Sequence, residues 1–476
     1  MLLTRRRFLP ALAAGAYAAG PRPPNVVFIL VDDYGWRDAG YNGSTFYETP
    51  NIDRLARDGT VFTNGYSASP VCSPTRSAIM TGKYPARLHL TAHLQGAANR
   101  FHFTKVLQPN TRIELPLGEI TIAELLRGRG YRSACIGKWH LGKSGYQPAE
   151  QGFDVSFAGD EAGSTSSFFY PKWKTKIPLE GQDGDYLTDR LTSLAADFIR
   201  ENKNRPFFLY LPHFAVHTPI EGKPEKVRKY RAKSKPESPQ NYEEYAAMIE
   251  SLDESVGNIL DTLQDAGAAD NTLVIFTADN GGVSSREWKG RPITSNLPLR
   301  AGKGHLYEGG IRVPTIVRWP GVTKPASTCH HPILSVDYAP TIADAAGVPS
   351  AKLTAMDGRS FTSLLKGAPS LDRDEIFWHY PHYSPQLGRP SAAIRRGHDK
   401  LILFFEDDRG KLYNLKDDLG ETNDLAALQP AKALAMRRRL EAWLDETKAQ
   451  LPAPNPNHDA AREREAGPPS GPTTAK

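Results

Sequence analysis

The amino-acid sequence predicts an α/β protein with a mostly parallel central sheet flanked by helices. A smaller C-terminal α+β subdomain with an antiparallel sheet follows. Three observations support this fold class: short apolar runs are continuous rather than alternating, helical patterns lie between them, and polar residues follow the runs directly. Strands buried on both faces are apolar throughout, and strands that alternate with helices form such sheets.

Five apolar runs, each four to seven residues long, are predicted to be buried parallel strands. They are residues 25–31, 133–136, 207–211, 272–277 and 315–318. The clearest helical pattern spans residues 242–266, where apolar side chains recur on one face and Gly267 provides a C-terminal stop. Further helical patterns cover residues 52–57, 120–127, 188–201 and 336–346.

Polar, titratable residues follow four of the five predicted strands directly. In chain order they are Asp32 and Asp33, Lys138 and His140, His213 and His217, and Asp279 and Asn280. Ligands of open α/β sheets bind beyond the carboxyl ends of the strands, where these side chains would meet. One such group could arise by chance, but four together predict a functional site.

From about residue 375 the pattern changes to short strands that are predicted to pair antiparallel. These strands cover residues 375–379, 390–396, 400–405 and 411–415, and a closing amphipathic helix covers residues 426–451. We therefore divide the chain into a main α/β domain at 21–370 and a C-terminal subdomain at 371–451. Residues 452–476 are rich in Pro, Ala and Glu and are predicted to form a disordered tail.

Residues 1–20 are predicted to be a bacterial twin-arginine export signal. Arg5, Arg6 and Arg7 precede a short Ala-rich apolar run with small residues near its end. This run is too short to span a bilayer, and no later segment approaches that length. We expect a periplasmic or secreted protein that uses the twin-arginine export machinery. A plain amino-terminal helix is the alternative.

Composition and charge exclude several classes of protein. The chain has 39% hydrophobic residues, which is typical of a globular protein. Its formal net charge of +6 includes the arginines of the export signal and is too small and scattered to predict nucleic acid as a partner. The three cysteines, Cys72, Cys135 and Cys329, do not predict a disulfide framework, although a Cys135–Cys329 pair stays open.

The segment that begins Cys72-Ser73-Pro74-Thr75-Arg76 predicts a reactive centre at the start of a helix. Pro74 suits the first helical turn, Ser73 is the expected N-cap and Gly82 the expected stop. Cys72 would then lie at the positive end of the helix dipole, and Arg76 could reach back towards it. A structural cysteine before an ordinary helix is the alternative.

Residues 70–82 and 130–140 resemble the two signatures of the type I sulfatase family, in which the cysteine is converted to formylglycine. Further matches lie in the family's order at Asp32-Asp33, residues 217–219, Asp279-Asn280-Gly281, Lys303, residues 412–415 and residues 421–422. The resemblance covers nearly the whole chain after the first 20 residues. It implies an arylsulfatase-like sulfuric ester hydrolase of the alkaline phosphatase superfamily, with its catalytic domain at 21–370.

Asp32, Asp33, Asp279 and Asn280 supply oxygen ligands from the ends of two predicted strands. A set of hard oxygen ligands without histidine favours one Ca²⁺ ion over zinc, and Mg²⁺ is less suited because it retains more water. Cys72, once converted to formylglycine, is included among the metal ligands. The alternative is that the paired aspartates only cap helices.

The resemblance also implies a mechanism for sulfate monoesters. The catalytic residues it implies are Cys72, Arg76, Lys138, His140, His217 and Lys303. The hydrated aldehyde at position 72 would attack sulfur while calcium and the cationic side chains offset charge on the sulfuryl oxygens. His217 or Lys303 would protonate the departing alcohol, and His140 would accept the proton that allows sulfate to leave.

The implied partners are a sulfated carbohydrate or aryl sulfate as substrate and a formylglycine-generating enzyme that converts Cys72. Two alternatives stay open: a phosphomonoester or phosphonate ester hydrolase on the same scaffold, and a non-catalytic glycan-binding relative. The complete catalytic set argues against the second alternative, because binding alone needs no oxidisable cysteine. A mid-chain sulfate contact is unassigned, with residues 164–167 as candidates.

Two further stretches each have two interpretations. Residues 222–235 hold seven Lys or Arg and one acidic residue, which predicts either a solvated basic loop or a rim that attracts a polyanionic sugar. Residues 378–383 are rich in aromatic and imidazole groups, which suits either stacking on a sugar ring or packing between the two domains.

Overall fold

The computed structural model describes residues 22–94, 102–284, 287–288 and 291–463. In these residues an eight-stranded sheet is covered by helices, and a separate four-stranded sheet is antiparallel. The predicted fold class is therefore confirmed. The predicted export signal lies outside the described residues. No helix of the described ranges is both long enough and apolar enough to cross a membrane.

Short strands and helices follow one another along the main domain, and four hairpin-like strands and a helix form the subdomain. The strands are β1 Asn25–Val31, β2 Thr60–Phe62, β3 Gly65–Tyr66, β4 Val106–Leu107, β5 Arg132–Ile136, β6 Val155–Phe157, β7 Phe207–Pro212, β8 Thr272–Ala278, β9 Glu287–Trp288, β10 Arg291–Pro292, β11 Thr315–Arg318, β12 Ser327–Cys329, β13 Ile333–Leu334, β14 Glu375–Tyr380, β15 Ser391–Arg396, β16 Asp399–Phe404, β17 Arg409–Asn414 and β18 Ala453–Pro454. The α-helices are α1 Pro50–Asp58, α2 Cys72–Thr81, α3 Pro85–Leu88, α4 Ile122–Arg127, α5 Leu187–Asn202, α6 Pro224–Ala232, α7 Glu243–Asp265, α8 Glu308–Ile311, α9 Tyr338–Ala345, α10 Thr362–Leu365 and α11 Pro430–Glu446.

The large sheet has the strand order β12-β2-β11-β8-β1-β7-β5-β6. β1 lies near its centre and pairs in parallel with β7 and β8, and β5 pairs in parallel with β7. The prediction of parallel strands is confirmed for these four. It is wrong for β11, which runs antiparallel to both β8 and β2. A continuous apolar run indicates burial on both faces of a sheet and carries no information about strand direction.

Helices cover both faces of this sheet, as the alternation of side chains along β1 shows. Val27, Ile29 and Val31 face a core shared with α1, α5 and α7. Val26, Phe28 and Leu30 face a second core shared with α2, α4 and α9. All seven residues of β1 are buried. A strand enclosed in this way holds the residues that follow its carboxyl end in a fixed position.

The C-terminal subdomain comprises β14–β17 and α11, which packs on the antiparallel sheet. The predicted helix 426–451 is longer than the observed α11. Pro430 occupies the first turn, and the backbone before a proline is biased away from the helical region. At the other end Lys448 adopts a left-handed conformation with φ of 53°, which cannot continue the helix.

The chain beyond the subdomain is ordered further than the sequence predicts. β18 pairs antiparallel with β4, and the Asn455 side chain donates hydrogen bonds to the carbonyls of His102 and Thr104. The prediction of a disordered tail from residue 452 is therefore wrong for residues 453–455. Residues 464–476 of that predicted tail lie outside the described residues.

A buried ion cluster joins the subdomain to the main domain. Lys400 of β16 places its ammonium 2.8 Å from Glu308 and 2.9 Å from Glu421, and all three side chains are fully buried. Arg312 adds a contact of 2.6 Å to Glu308. Burial alone would raise the pKa of Glu308, but Lys400 and Arg312 hold it below its usual value. Burial raises the pKa of Glu421 to about 7.

The aromatic and imidazole strip at 378–383 packs between the two domains. Trp378 donates a hydrogen bond to the Ser67 carbonyl, and His382 shares one with Thr91. Trp378, His379, Tyr380, His382 and Tyr383 are all buried. The structure therefore favours packing between domains over stacking on a sugar ring.

Replacing His379 with glutamine should make the free energy of unfolding less dependent on pH below pH 7. Burial lowers the pKa of His379 from 6.5 to about 4, so between these pH values only the unfolded state binds the proton. The free energy of unfolding therefore falls as the pH drops through this range, by about 3 kcal/mol at full extent. We expect urea unfolding at pH 7 and pH 4.5 to differ less for His379→Gln than for the parent.

The exposed His398 of the same subdomain provides a matched control. His398→Gln should leave the difference between the two pH values unchanged. An identical acid slope in the parent and in His379→Gln would show that the buried imidazole does not carry this loss of stability.

Candidate active site

The predicted site residues meet at one edge of the large sheet. Asp32 and Asp33 follow β1, Asp279 follows β8, His217 follows β7 and Lys138 follows β5. These four strands are adjacent in the order β8-β1-β7-β5, and all four are parallel. Their carboxyl ends therefore lie side by side, and the structure brings the predicted residues together.

The proposed metal ligands form a compact group of oxygens beside Cys72. Ligand atoms of Asp32, Cys72 and Asp279 lie within 4.8 Å of one another, and those of Asp32, Asp33 and His217 form a second such set. The Asp33 amide donates to Asp279 Oδ1 at 3.3 Å. Asn280 Nδ2 donates to Asp33 Oδ1 at 2.8 Å.

Two oxygens of this group fit a hard cation. Asp32 Oδ1 and Asn280 Oδ1 are buried and have no hydrogen-bond partner in the described ranges. A buried polar atom without a partner costs free energy, and a bound ion would satisfy both atoms. Three buried carboxylates with an amide oxygen make a donor set of the kind that Ca²⁺ prefers.

Three buried cations surround the carboxylates. Arg76 donates to Asp279 Oδ2 through Nε at 2.9 Å and Nη2 at 2.8 Å. Lys138 Nζ pairs with Asp32 Oδ2, and Lys303 Nζ lies 2.6 Å from Asp33 Oδ1. The three carboxylates are thus each matched by a cationic side chain.

The pKa values of these groups follow from burial and from their partners. Burial raises the pKa of Asp279, and the neighbouring Asp32 adds to this effect. Burial also acts to raise the pKa of Asp33, but the Lys303 ammonium and His217 hold it below its usual value. Burial acts to lower the pKa of Lys303, but Asp33 and the other acidic groups around it hold it above its usual value.

Cys72 is the first residue of α2, and all ten residues of this helix are buried. Gly82 ends the helix with φ of 68°, which confirms the predicted stop. The prediction of Ser73 as N-cap is wrong, because the helix begins at Cys72 and the cap position, Val71, lies two residues earlier than predicted. Ser73 Oγ instead accepts a hydrogen bond from the Leu94 amide, a long-range contact that local sequence does not indicate.

Arg76 does not contact Cys72 through any described hydrogen bond. Its Nη1 donates to the Lys138 carbonyl at 2.6 Å, in addition to the two bonds to Asp279. Arg76 therefore ties α2 to the ends of β5 and β8. Burial raises the pKa of the unmodified Cys72 thiol, although Lys138 and Lys303 oppose this effect.

His140 and His217 differ in their surroundings. His140 is buried, and neither ring nitrogen has a hydrogen-bond partner in the described part of the chain. Burial, with Lys138 and Arg76 close by, lowers the pKa of His140 well below its ordinary value. His217 lies 3.6 Å from Asp33 through Nε2, and its Nδ1 is 2.8 Å from the Thr218 carbonyl.

His213 and His305 do not join the catalytic group. His213 is buried and shares a hydrogen bond of 3.1 Å with Ser255 of α7. His305 shares one of 2.9 Å with the Gln386 carbonyl and so has a structural partner in the C-terminal subdomain.

A cavity of about 320 Å³ opens beside the proposed nucleophile. Its walls include four of the predicted catalytic residues, Cys72, His140, His217 and Lys303. Other walls come from His93, Leu94, Ser164, Thr218, Pro385 and Gln386. Ser164 is among the candidates that the sequence offers for a sulfate contact. Sequence reasoning missed His93 and Gln386, because no motif links them to the site and only the fold brings them there.

Five of the seven basic side chains at 222–235 pair with acidic residues. Lys226 pairs with Glu254, Lys229 with Glu48 and Glu250, and Lys235 with Glu243. These pairs lie along α6 and its flanks, facing α7. They favour the interpretation of a solvated, ion-paired segment over that of a rim for a polyanion. All three cysteines are free, so the open Cys135–Cys329 pair does not form.

The fold is that of an α/β enzyme, with acidic, cationic and imidazole side chains gathered at the carboxyl ends of adjacent parallel strands. Residues 24–348 match the Sulfatase family profile, and residues 301–450 match the C-terminal profile of N-sulphoglucosamine sulphohydrolase. The chain therefore belongs to the type I sulfatase family and is a sulfuric ester hydrolase. The resemblance noted in the sequence is confirmed.

Curated relatives align over most of their own length. A sulfatase of Formosa agariphila is 33% identical over 504 residues, with 90% of this chain and 89% of the relative covered. Human arylsulfatase A is 32% identical over 495 residues, with 92% and 91% covered. Human N-acetylgalactosamine-6-sulfatase is 34% identical over 386 residues, with 77% and 70% covered.

Solved structures agree on the architecture. Ps i-CgsB in complex with k-i-k-neocarrahexaose has a TM-score of 0.77 and 29% identity, covering 93% of this chain and 96% of that one. The phosphonate monoester hydrolase of Agrobacterium radiobacter has a TM-score of 0.67 and 20% identity, covering 89% and 96%. The second likeness concerns the fold alone.

Proposed function

We propose that this sulfatase hydrolyses sulfate monoesters of a sulfated carbohydrate, with formylglycine formed from Cys72 and with one bound calcium ion. The observation that carries this proposal is the convergence of Cys72 with a buried oxygen group in which two oxygens lack partners among the described residues. One relative is an N-acetylgalactosamine-6-sulfatase, and one similar structure was solved with neocarrahexaose, which supports a carbohydrate substrate.

Asp32, Asp33, Asp279 and Asn280 would hold the calcium ion together with the converted side chain at position 72. A bound divalent cation supplies positive charge to the sulfuryl oxygens and favours the deprotonated nucleophile. The orphaned Asp32 Oδ1 and Asn280 Oδ1 are the atoms of the described site that most require such an ion.

The converted side chain supplies an aldehyde hydrate, whose two hydroxyls serve two separate steps. In the first step one hydroxyl oxygen would bond to sulfur as the bond between sulfur and the alcohol oxygen breaks. His217 and Lys303 line the cavity, so either can give a proton to the departing alcohol oxygen. His140 then accepts the proton of the second hydroxyl, while the bond between carbon and the sulfate oxygen breaks and sulfate leaves. A buried, neutral imidazole such as that of His140 can take up this proton.

Lys138, Lys303 and Arg76 supply the positive charge around the transferred group. Lys303 lies on the cavity wall and can contact the sulfuryl oxygens directly. Lys138 pairs with Asp32, and Arg76 pairs with Asp279. These two cations therefore act through the position and charge of the carboxylates. Preorganised charges of this kind stabilise charge that develops in the transition state.

A phosphomonoester or phosphonate ester hydrolase is the second candidate, because the fold is shared with a phosphonate monoester hydrolase. The two candidates differ in which ester is cleaved and in the metal. A third candidate is a glycan-binding relative without turnover. It leaves the buried His140 on the cavity wall and the convergence of acidic and cationic groups at Cys72 without a role.

Sulfate release from defined esters tests the proposal. The panel comprises galactose, N-acetylgalactosamine and N-acetylglucosamine, each sulfated at position 4 or 6, with 4-nitrophenyl sulfate and 4-nitrophenyl phosphate as references. We expect kcat/KM for at least one sulfated sugar to exceed that for the phosphate ester. Chelation should abolish turnover, and Ca²⁺ should restore it while equimolar Zn²⁺ does not.

Two results would contradict the proposal. Faster cleavage of the phosphate ester than of every sulfate ester favours the second candidate. Full activity after exhaustive chelation, checked by elemental analysis of the protein, excludes a role for calcium.

We also propose a periplasmic or secreted location. The twin-arginine pattern at residues 5–7 and the apolar run after it support export. Conversion of Cys72 by a formylglycine-generating enzyme would then precede export, because this route carries folded proteins.

A further inference from the structure

We infer that Gln386 is a specificity-determining residue that donates a hydrogen bond to the sugar ring bearing the sulfate. This inference rests on the proposed function, and it assigns part of sugar recognition to the C-terminal subdomain. Gln386 is not among the residues that carry the proposed chemistry, yet it lines the same cavity as Cys72 and Lys303.

Gln386 reaches the cavity on a tight turn after β14. The Ser384 amide donates to the Gly388 carbonyl, and the Leu387 amide donates to the Ser384 carbonyl, each at 2.9 Å. A Cβ atom at Gly388 would lie only 1.7 Å from the Gly304 carbonyl oxygen. The turn therefore packs directly on the backbone next to Lys303, and a glycine is required at 388 for this close approach.

Three hydrogen bonds fix Gln386 within this turn. Its amide donates to Ser384 Oγ at 3.1 Å, and Ser384 Oγ donates to Gln386 Oε1 at 2.6 Å. Its carbonyl accepts from His305 Nε2 at 2.9 Å. The side chain is largely buried, with 8% of its surface exposed. A side chain held in this way loses little further freedom when a ligand binds.

The carboxamide has one group left for a ligand. Its oxygen is engaged by Ser384, and its Nε2 has no acceptor within residues 22–94, 102–284 and 292–463. An amide NH₂ donates hydrogen bonds and accepts none. The substrate must therefore present an acceptor, such as a hydroxyl or ring oxygen of the sugar. Phenyl sulfate offers no such oxygen on its ring.

The size of the cavity limits what Gln386 can contact. A volume of about 320 Å³ is at the lower end of ligand-binding cavities, which span roughly 300–1,000 Å³. It suits a sulfate group with the ring to which it is attached. Because Gln386 lines the same cavity as Cys72, the acceptor that it contacts is expected on the sulfated sugar ring.

The ratio of kcat/KM for a sulfated sugar to kcat/KM for phenyl sulfate, both measured as sulfate release, tests this inference. The sugar is the member of the ester panel with the highest kcat/KM in the parent enzyme. We expect Gln386→Met, which keeps the length of the side chain and removes the donor, to lower this ratio about tenfold or more. Gln386→Glu, which keeps an acceptor for Ser384 but loses the NH₂, should lower it at least as far.

Two further variants separate recognition from loop structure. Leu387→Ala changes the exposed neighbour in the same turn and removes no hydrogen bond, so the ratio should stay within about twofold of the parent. Ser384→Ala releases the carboxamide oxygen, so Ser384 is tested as a positioning residue. We expect an intermediate ratio for Ser384→Ala, and no further loss when it is combined with Gln386→Met.

The outcomes separate this inference from the proposed function. An unchanged ratio in Gln386→Met, with thermal unfolding like that of the parent, overturns the inference and leaves the sulfatase proposal intact. An equal fall for both substrates also overturns it, because it shows a structural role for the turn. If the parent enzyme releases sulfate from none of the esters, both the inference about Gln386 and the proposed function are overturned.

Discussion

Replacing Cys72 with serine should reduce turnover by a factor on the order of 10⁴ or more, because the nucleophile of the proposed reaction is lost. Serine cannot supply a second hydroxyl on the same carbon, so sulfate could not be expelled after the first step. Cys72 and serine are close in size, and the site is held by Arg76 and Asp279, so the variant should remain folded. Initial rates of sulfate release and circular dichroism measure the two effects.

Cys329→Ser is the matched control. Cys329 is free, only half-buried and on edge strand β12, at the opposite side of the sheet from the strands that carry the site. Its variant should keep near-parental turnover. Expression of the parent chain in a host without a formylglycine-generating enzyme should give folded protein with turnover as low as that of Cys72→Ser. Near-parental rates from protein shown by mass spectrometry to carry the thiol would refute the proposed chemistry.

Replacing Lys400 with methionine should lower the free energy of unfolding by about 4 kcal/mol. The substitution removes the ammonium that lies 2.8 Å from Glu308 and 2.9 Å from Glu421 and leaves both carboxylates buried. Removal of one partner of a buried ion pair costs more than the pair itself contributes, because the remaining charge has no water. Equilibrium urea unfolding at pH 7.5, above the pKa of about 7 for Glu421, measures this loss.

Lys432 provides the comparison on the same subdomain. It pairs with Asp399 at 2.9 Å, but its side chain is 42% exposed, so Lys432→Met should cost about 1 kcal/mol or less. Adding Glu421→Gln to Lys400→Met should recover part of the stability, since one uncompensated carboxylate is then removed. Equal losses for Lys400→Met and Lys432→Met would show that the buried cluster does not join the two domains energetically.

The sequence predicts the parts of this fold that depend on local pattern. β1 and β11 are placed at the predicted residues, and α7 differs by one residue at each end, because uninterrupted apolar runs and a long helical period are strong local signals. The direction of β11 could not be predicted in this way. The short strands β2, β6 and β12, each three residues long, give no pattern that distinguishes them from loops.

The site residues also fall into those that local sequence predicts and those that it does not. Asp32, Asp33, Asp279 and Asn280 could be predicted, since they immediately follow recognisable strands that are neighbours in the sheet. Gln386 could not, because it reaches the cavity through the docking of the C-terminal subdomain on the main domain. His93 could not, because no motif links it to the site. The role of Ser73 could not be predicted either, because its partner, the Leu94 amide, lies 21 residues away in the sequence.

The complete enclosure of α2 has a consequence for how the protein matures. An oxidising enzyme needs the Cys72 segment as an accessible, extended peptide, whereas the native fold hides every residue from Cys72 to Thr81. Under the proposed chemistry, conversion of Cys72 therefore competes with folding in each newly made chain. A molecule that folds before conversion retains the Cys72 thiol and is inactive. The specific activity of a preparation therefore depends on the fraction of chains that were converted before they folded.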